Sequence, residues 1–427
     1  MKRVYLPFDT PAFKPLNSNH PLVACLVERS YDDIEFVRSP AEQSTAAPPA
    51  RVLERAILFG NALDRARIDL PPRADMQMKF ITSRDLVSQQ YFDTSADLAF
   101  MHTAPMLLNQ MPYILHLEAV TPLFIPFLYH GETGNTRLRH EYAFWYVRAM
   151  LEADCCRGIF SNLALTVAQL GRVFDSEVIA RKSRHVPPGP YFTAEQAEKA
   201  EARAAQKQPG QRVEILFTNS WHQDAFSFFL RGGLDLVFAF LEVEKQFPNI
   251  HLTLRTVLPD TLNNIRPDYI SFIRSHPKIT VLPDMVSEEE VFELFLRADI
   301  FCLHAYGLHT VSVLRAMYCG NACIVSDAPG YDEYLTDGET GIVLPGLRAE
   351  IYSEDAESGF LRDNYRAPRP YDPQRVARLA SALKFLCENP EARLAMGRNA
   401  RRRVMQRNSF AGWQSGFETV LREALAA

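Results

Sequence analysis

Three groups of residues carry chemistry by type and spacing. The stretch HAYGLHTVSVLRAMYCG, 304–320, joins an apolar run to helical text, and its turn offers Gly307, His309 and Thr310. Free main-chain N–H groups and the positive dipole end at a helix start favour an anion, phosphate above all. The same pattern serves plain capping by Thr310 or Ser312. Arg231, in FLRGGLDL, stands at the entrance to another helix. Its planar fork suits phosphate oxygens, and Gly232 and Gly233 let the backbone approach closely. His116 and Glu118 close the apolar run MPYILHLEAV. An imidazole there acts as acid or base, and a carboxylate orients it or binds a hydroxyl-rich ligand, although a strand-end histidine also serves structure. Asn219 and Trp221, in FTNSWHQDAF, offer a hydrogen bond and a stacking plane for a base or sugar. No histidine spacing suggests a metal site, and no cofactor is expected. The G-x-S-x-G elbow, the Walker loop and G-x-G-x-x-G are all missing from the sequence.

These residues need strand ends and helix starts to hold them. The chain has 427 residues, more than one ordinary core, so two domains are expected. Hydrophobic residues at 47% and charged residues at 23% fit a globular protein, and a net charge of −5 argues against a nucleic-acid partner. No apolar run reaches the ~18 residues of a spanning helix. The first 20 residues lack the apolar centre of a leader, and the seven scattered cysteines lack zinc or redox spacing. A reducing, cytoplasmic setting is the expectation.

Along the chain, RVLERAILFGNALDRARI (51–68) has helical spacing and MKFITS (78–83) reads as a strand, between turn-rich text at 44–50 and 70–75. DLAFMHT and MPYILHLEAV are strands, TPLFIPFLYH a buried turn, and RGIFSNLALTVAQLGRVF a strand and helix before the Pro/Gly turn SRHVPPGPY. The polar segment 193–212 reads as an exposed helix plus linker. From VEILFTNS to a last strand TGIVLPG the text alternates between strand and helix, as in a parallel Rossmann-like sheet. The tail reads as two helices, DPQRVARLASALKFLCENP and a long basic-then-aromatic segment, 391–426. Its run GRNARRRVMQR suits a solvated helix face or a patch against anionic lipid.

The second half resembles retaining glycosyltransferases of family 4, which have the GT-B fold. The resemblance rests on RGGLDLVFAFLEVEKQFPNIHLTL, ITVLPDMVSEEEVFELFLRADIFCLHA, VLRAMYCGNACIVSDAPGYDEYLTDGETGIVLP and the closing NSFAGWQSGFETVL, in family order. PYILHLE is similar to the strand ending in the family's active-site histidine, and HVPPGPY to its "PNG" turn. The resemblance implies an α/β fold of two Rossmann-like domains facing a central cleft, with a closing helix that crosses back. On this sequence the domains fall at 1–192 and 213–390, with a linker at 193–212 and returning helices at 391–427. It further implies sugar transfer from a nucleotide-diphosphate donor, with retention and without metal, and an acceptor that is a glycan, a lipid or a small molecule. His116 and Glu118 become the catalytic candidates. Asn219, Trp221, Arg231, Gly232, the 307–310 turn with Leu308 and His309, Arg315 and Glu333 become donor-binding candidates.

Two departures stand out. The family carries two glutamates seven residues apart across this turn, which bind the donor sugar's hydroxyls and the ribose. Gly307 and Arg315 occupy those positions here. Phe226 stands where the family tends to place an arginine. A non-catalytic relative, or another GT-B enzyme such as an epimerase, is the alternative reading.

Overall fold

The structure is a computed structural model and describes residues 1–6, 26, 30–38, 95–102, 111–124, 127–206, 212–219, 225–284, 286–307, 309–368 and 371–427. The helix expected at 51–68, the strand at 78–83 and the turns at 44–50 and 70–75 lie outside these residues, as do Trp221 and Leu308.

The first domain is built on β1 (Lys2–Leu6), β2 (Ile34–Arg38), β3 (Leu98–His102), β4 (Tyr113–His116), β5 (Cys156–Ser161) and β6 (Ser183–His185). They form one parallel sheet in the order β2-β1-β3-β4-β5-β6. Helices α1 (Tyr142–Glu152), α2 (Ala164–Phe174) and α3 (Glu177–Lys182) belong to the same half. All four residues of β4 are buried, as an apolar strand must be when helices cover both faces of a parallel sheet. The Pro/Gly text at 183–191 begins with a short strand, β6, which pairs along β5 through Ile159 and Ser183.

Helix α4 (Ala194–Gln206) leads into β7 (Val213–Thr218). Where the polar sequence suggests a solvated linker helix, α4 turns one face inward: Ala200 is fully buried in the second domain's core. Lys199 donates to Glu289 at 2.8 Å, and Arg401 donates to Glu201 at 2.6 Å. Thus α4 docks on the second domain through small residues and surface charges.

The second domain continues with α5 (Ser227–Leu230), α6 (Gly233–Val243), β8 (Ile250–Arg255), α7 (Tyr269–Ser275), β9 (Ile279–Leu282), α8 (Glu288–Arg297), β10 (Ile300–Leu303), α9 (Thr310–Tyr318), β11 (Ala322–Ser326) and β12 (Gly341–Leu344). Ser287 and Glu290 form a capping box at the start of α8. The sheet is parallel, in the order β12-β11-β10-β7-β8-β9. Sequence order therefore reverses between β7 and β10, which opens a crevice at their carboxyl ends.

Chain past β12 adds α10 (Leu347–Ile351) and an antiparallel hairpin, β13 (Tyr352–Glu354) and β14 (Leu361–Asp363). The expectation that β12 is the last strand is corrected here. This hairpin reaches the first domain: Thr133 N donates to Asp363 O at 3.0 Å and Tyr365 N to Gly131 O at 3.0 Å. The tail holds three helices where two were expected, because the 391–426 segment breaks at Asn408. It comprises α11 (Pro373–Glu388), α12 (Pro390–Arg407) and α13 (Phe410–Ala426), with Ser409 capping α13. Trp413, Phe417, Val420, Leu421 and Ala424 lie on one face of α13, at helical spacing. That face packs into the first domain against Val4, Phe100, Ile114 and Phe160, so the last helix crosses back.

Candidate functional site

The crevice between β7 and β10 is walled by two turns. Gly232 adopts φ +75°, and a Cβ on it would lie 2.3 Å from His304 O. Only glycine permits that approach, and Tyr306 N donates to Leu230 O at 2.8 Å across the same seam. The turn bearing Arg231 is thereby pressed against the 304–310 turn. His309 occupies the N-cap position of α9, without a side-chain cap among the described residues, so neither Thr310 nor Ser312 caps the helix. Thr310 is the first helical residue.

Three guanidinium groups converge on the crevice. Arg231 is 3% exposed, and its Nη1 donates to Thr218 O at 3.4 Å. Arg255, the last residue of β8, donates from Nη1 to Asn219 O at 2.9 Å. Arg315 is 6% exposed and lies 5.0 Å over the Phe295 ring, with Nη2 3.4 Å from Glu288 Oε2. Burial lowers the pKa of all three, and the charge of Arg255 adds to that lowering at both Arg231 and Arg315. Glu288 acts the other way on Arg255 and Arg315. Burial, then Arg231, holds His309 well below the ordinary imidazole range, so it stays neutral. Three cations and one carboxylate leave a charge of +2. Among the described residues, Asn219 Oδ1, Arg255 Nε and Arg315 Nε are buried without a hydrogen-bond partner. Such atoms are costly to leave unmet, and a polar ligand would meet them.

The first domain supplies the facing wall. Register pairs His102 of β3 with His116 of β4, and their Nδ1 atoms lie 2.8 Å apart with the rings stacked. One imidazole therefore donates to the other. Glu118 is open to solvent at its tip, yet protein surrounds it; burial raises its pKa, and the charge of His130 partly reverses this. Its charge also reaches Tyr334 of the second domain. His130 Nδ1 stands 3.5 Å from Asp363 Oδ2.

Glu333 has another position. Both its carboxylate oxygens accept main-chain N–H groups at the start of α2, from Ala164 at 2.7 Å and Leu165 at 2.9 Å. It caps a first-domain helix from the second domain, the helix-cap role that its place before the glycine turn also allows. Tyr334 donates to Asn162 O at 2.9 Å, and Trp413 to Asn162 Oδ1 at 3.2 Å, beside that cap. Gly307 faces the hairpin: a Cβ there would stand 3.1 Å from Tyr365 Oη. Arg255, Glu288, His102 and Tyr334 escape motif reading. Arg255 had a signal, since it ends a strand of the sheet at the ligand-bearing edge.

Residues 277–367 match the family model described as Glycosyl transferases group 1. No curated protein matches the sequence. Sucrose-phosphate synthase from Thermosynechococcus elongatus is similar in structure, with a TM-score of 0.57, 13% identity, and coverage of 100% of both chains. A glycosyltransferase from Rickettsia africae gives a TM-score of 0.54 at 10% identity, covering 99% of this chain and 98% of its own. HepE of Anabaena, in complex with UDP, gives 0.52 at 11% identity, covering 99% and 100%. Together the group 1 match and the shared two-domain architecture support a glycosyltransferase with the GT-B fold.

Proposed function

We propose that this chain transfers a sugar from a nucleotide-diphosphate donor to an acceptor, with retention at the anomeric carbon and without a metal. The observation that carries the reading is the charge in the crevice. Arg231, Arg255 and Arg315 against Glu288 leave +2, matching a bound diphosphate of −2. The start of α9 adds its dipole and free N–H groups. The donor then lies in the crevice with its diphosphate at Arg231 and α9. These fixed charges stabilise the leaving diphosphate as it departs, which is the work a metal performs elsewhere. His116 and Glu118 face the sugar from the first domain, and the His102–His116 bond holds the His116 ring in place. The UDP bound by HepE of Anabaena makes UDP the first nucleotide to try.

The acceptor is a glycan, a lipid or a small molecule. A cytoplasmic setting accords with the buried cysteines Cys156, Cys302, Cys319 and Cys323, which form no disulfide among the described residues. Of the tail's basic run, Arg401 is tied to Tyr318 O and Glu201, and Arg403 to Glu333 O. Arg398, Arg402 and Arg407 remain exposed on α12, enough for peripheral contact with an anionic membrane face. Arg315 and Gly307, where the resemblance implies carboxylates, favour one second reading: a relative that retains the fold and binds nucleotide without transfer. The test is a panel of sugar nucleotides assayed for hydrolysis and transfer, with and without EDTA. Turnover insensitive to EDTA supports the proposal. Nucleotide binding with no turnover on any donor selects the second reading, and a folded chain that binds no nucleoside diphosphate refutes both.

A further inference from the structure

We infer that the groove between the 131–136 loop of the first domain and the β13–β14 hairpin of the second is a subsite for a neutral, hydroxyl-rich acceptor, that is, a glycan; this rests on the transferase reading. The groove has a volume of ≈ 480 Å³, within the range of small-molecule sites. Glu132, Asn135, Glu350, Tyr352, Asn364 and Arg366 line it. Glu132 is paired with Arg366 and Glu350 with Arg375, so the lining offers no unopposed positive charge to a nucleotide, a phosphate or an anionic headgroup. Carboxylates and amides accept from hydroxyl groups, while amides and the guanidinium donate to them. The single aromatic lining residue, Tyr352, offers one flat face. Glu132 and Arg366 are bonded at 2.9 Å, both exposed, so that pair is worth little and is cheaply traded for ligand contacts.

Position supports the assignment. Tyr352 is shared by the groove and the donor turn, since its hydroxyl donates to Tyr306 O at 2.8 Å. On the other side, Asn364 follows Asp363, whose carboxylate lies 3.5 Å from His130, and His130 acts electrostatically on Glu118. A glycan seated here has its end directed along that row toward the facing wall of the crevice. The walls come from both domains, held together by Thr133 and Asp363.

The test uses the full chain on an array of immobilised mono- to tetrasaccharides, neutral and anionic, with Asn135→Trp and Ser353→Trp as groove-filling variants. Both positions are exposed, and thermal melting checks each fold. Titration with UDP and other nucleoside diphosphates runs in parallel. The expected result is binding to a neutral glycan class, weakened at least tenfold in both variants, with nucleotide affinity within twofold of the parent. A parent chain that binds nucleotide but no neutral glycan overturns the subsite alone. So does glycan binding that survives a folded variant, or a preference for anionic glycans. Failure to bind both nucleotide and glycan overturns the transferase reading with it.

Discussion

Replacing Arg231 by methionine keeps the apolar stem and removes one of the three crevice cations. Two unit charges about 4 Å apart interact by about 4 kcal/mol at an effective dielectric near 20. Measured net values for hydrogen bonds to charged groups run at about 1.5–3 kcal/mol. Arg231 is already 3% exposed in the unliganded chain, so its desolvation precedes binding and is not charged against the complex. The upper part of the measured range therefore applies, about 3 kcal/mol, or roughly a 150-fold loss of affinity at 1.4 kcal/mol per decade. Isothermal titration with the tightest-binding nucleoside diphosphate reads it directly. The matching nucleoside, which lacks phosphates, should bind the parent and Arg231→Met alike. Arg407→Met, exposed on α12, should change neither. A folded Arg231→Met variant that loses less than fivefold in diphosphate affinity refutes the cradle. An equal loss for the nucleoside would move Arg231 from the phosphates to another part of the ligand.

Three further outcomes are expected. Burial raises the pKa of Glu118, so its carboxylate is present only above that raised value, and activity requiring the ion is lost as pH falls through it. Glu118→Gln should abolish the acid limb of the transfer pH profile and lower the plateau by about 10²–10⁴-fold if the group acts as a general base; an unchanged limb would assign it to another residue. Glu333→Ala frees the N–H groups of Ala164 and Leu165 and should cost about 1–2 kcal/mol in urea unfolding, with Glu333→Gln restoring part of it; no change would mean that solvent caps α2 equally well. Trp413→Ala empties a fully buried site between α13 and the first domain and should cost about 3–5 kcal/mol by the same measurement, whereas a loss below 1 kcal/mol would show that α13 contributes little to that core.

The second domain was legible because its strands are continuous apolar runs, each followed by an amphipathic helix. That period is local, and Ser287 with Glu290 even marks a helix start. The first domain was less so. In β1 and β2 a five-residue strand pairs with partners far along the chain, such as Lys2 with Ile34 and Val4 with Leu98. No short window contains that information. The hairpin β13–β14 was missed for a related reason: YSE and LRD are polar three-residue strands whose stability comes from Thr133 and Gly131 in the other domain. Motif reading located Arg231 and the 304–310 turn because glycine, helix start and strand end coincide there. For Glu333 two roles stayed open, since a carboxylate before a glycine turn gives no sign of whether it meets a ligand or a neighbouring helix end, and in the structure it meets the start of α2.

Gly307, Arg315 and the hairpin belong to one arrangement. A side chain at position 307 would meet Tyr365 Oη at 3.1 Å, and Tyr352 Oη lies 3.7 Å from the same point. Tyr352 of the hairpin and Tyr365 beyond it therefore crowd the space that a carboxylate at 307 would need, and Tyr365 Oη would have to give by a few tenths of an ångström. At 315 a carboxylate would face Glu288, which already stands 3.4 Å from Arg315. Two acids at that separation would repel, and one would be driven to its neutral form. Glutamates at both positions would take the crevice from +2 to −1, a swing of three charges. Arg315 instead pairs with Glu288, while Arg231 and Arg255 donate to the main-chain carbonyls of Thr218 and Asn219 at the end of β7. On the proposed reading the grip of this crevice rests on phosphate charge more than on sugar hydroxyls, and among the described residues Glu288 is the acid paired with Arg315. Discrimination among donors by their sugars must then fall to the first-domain wall around His116 and Glu118.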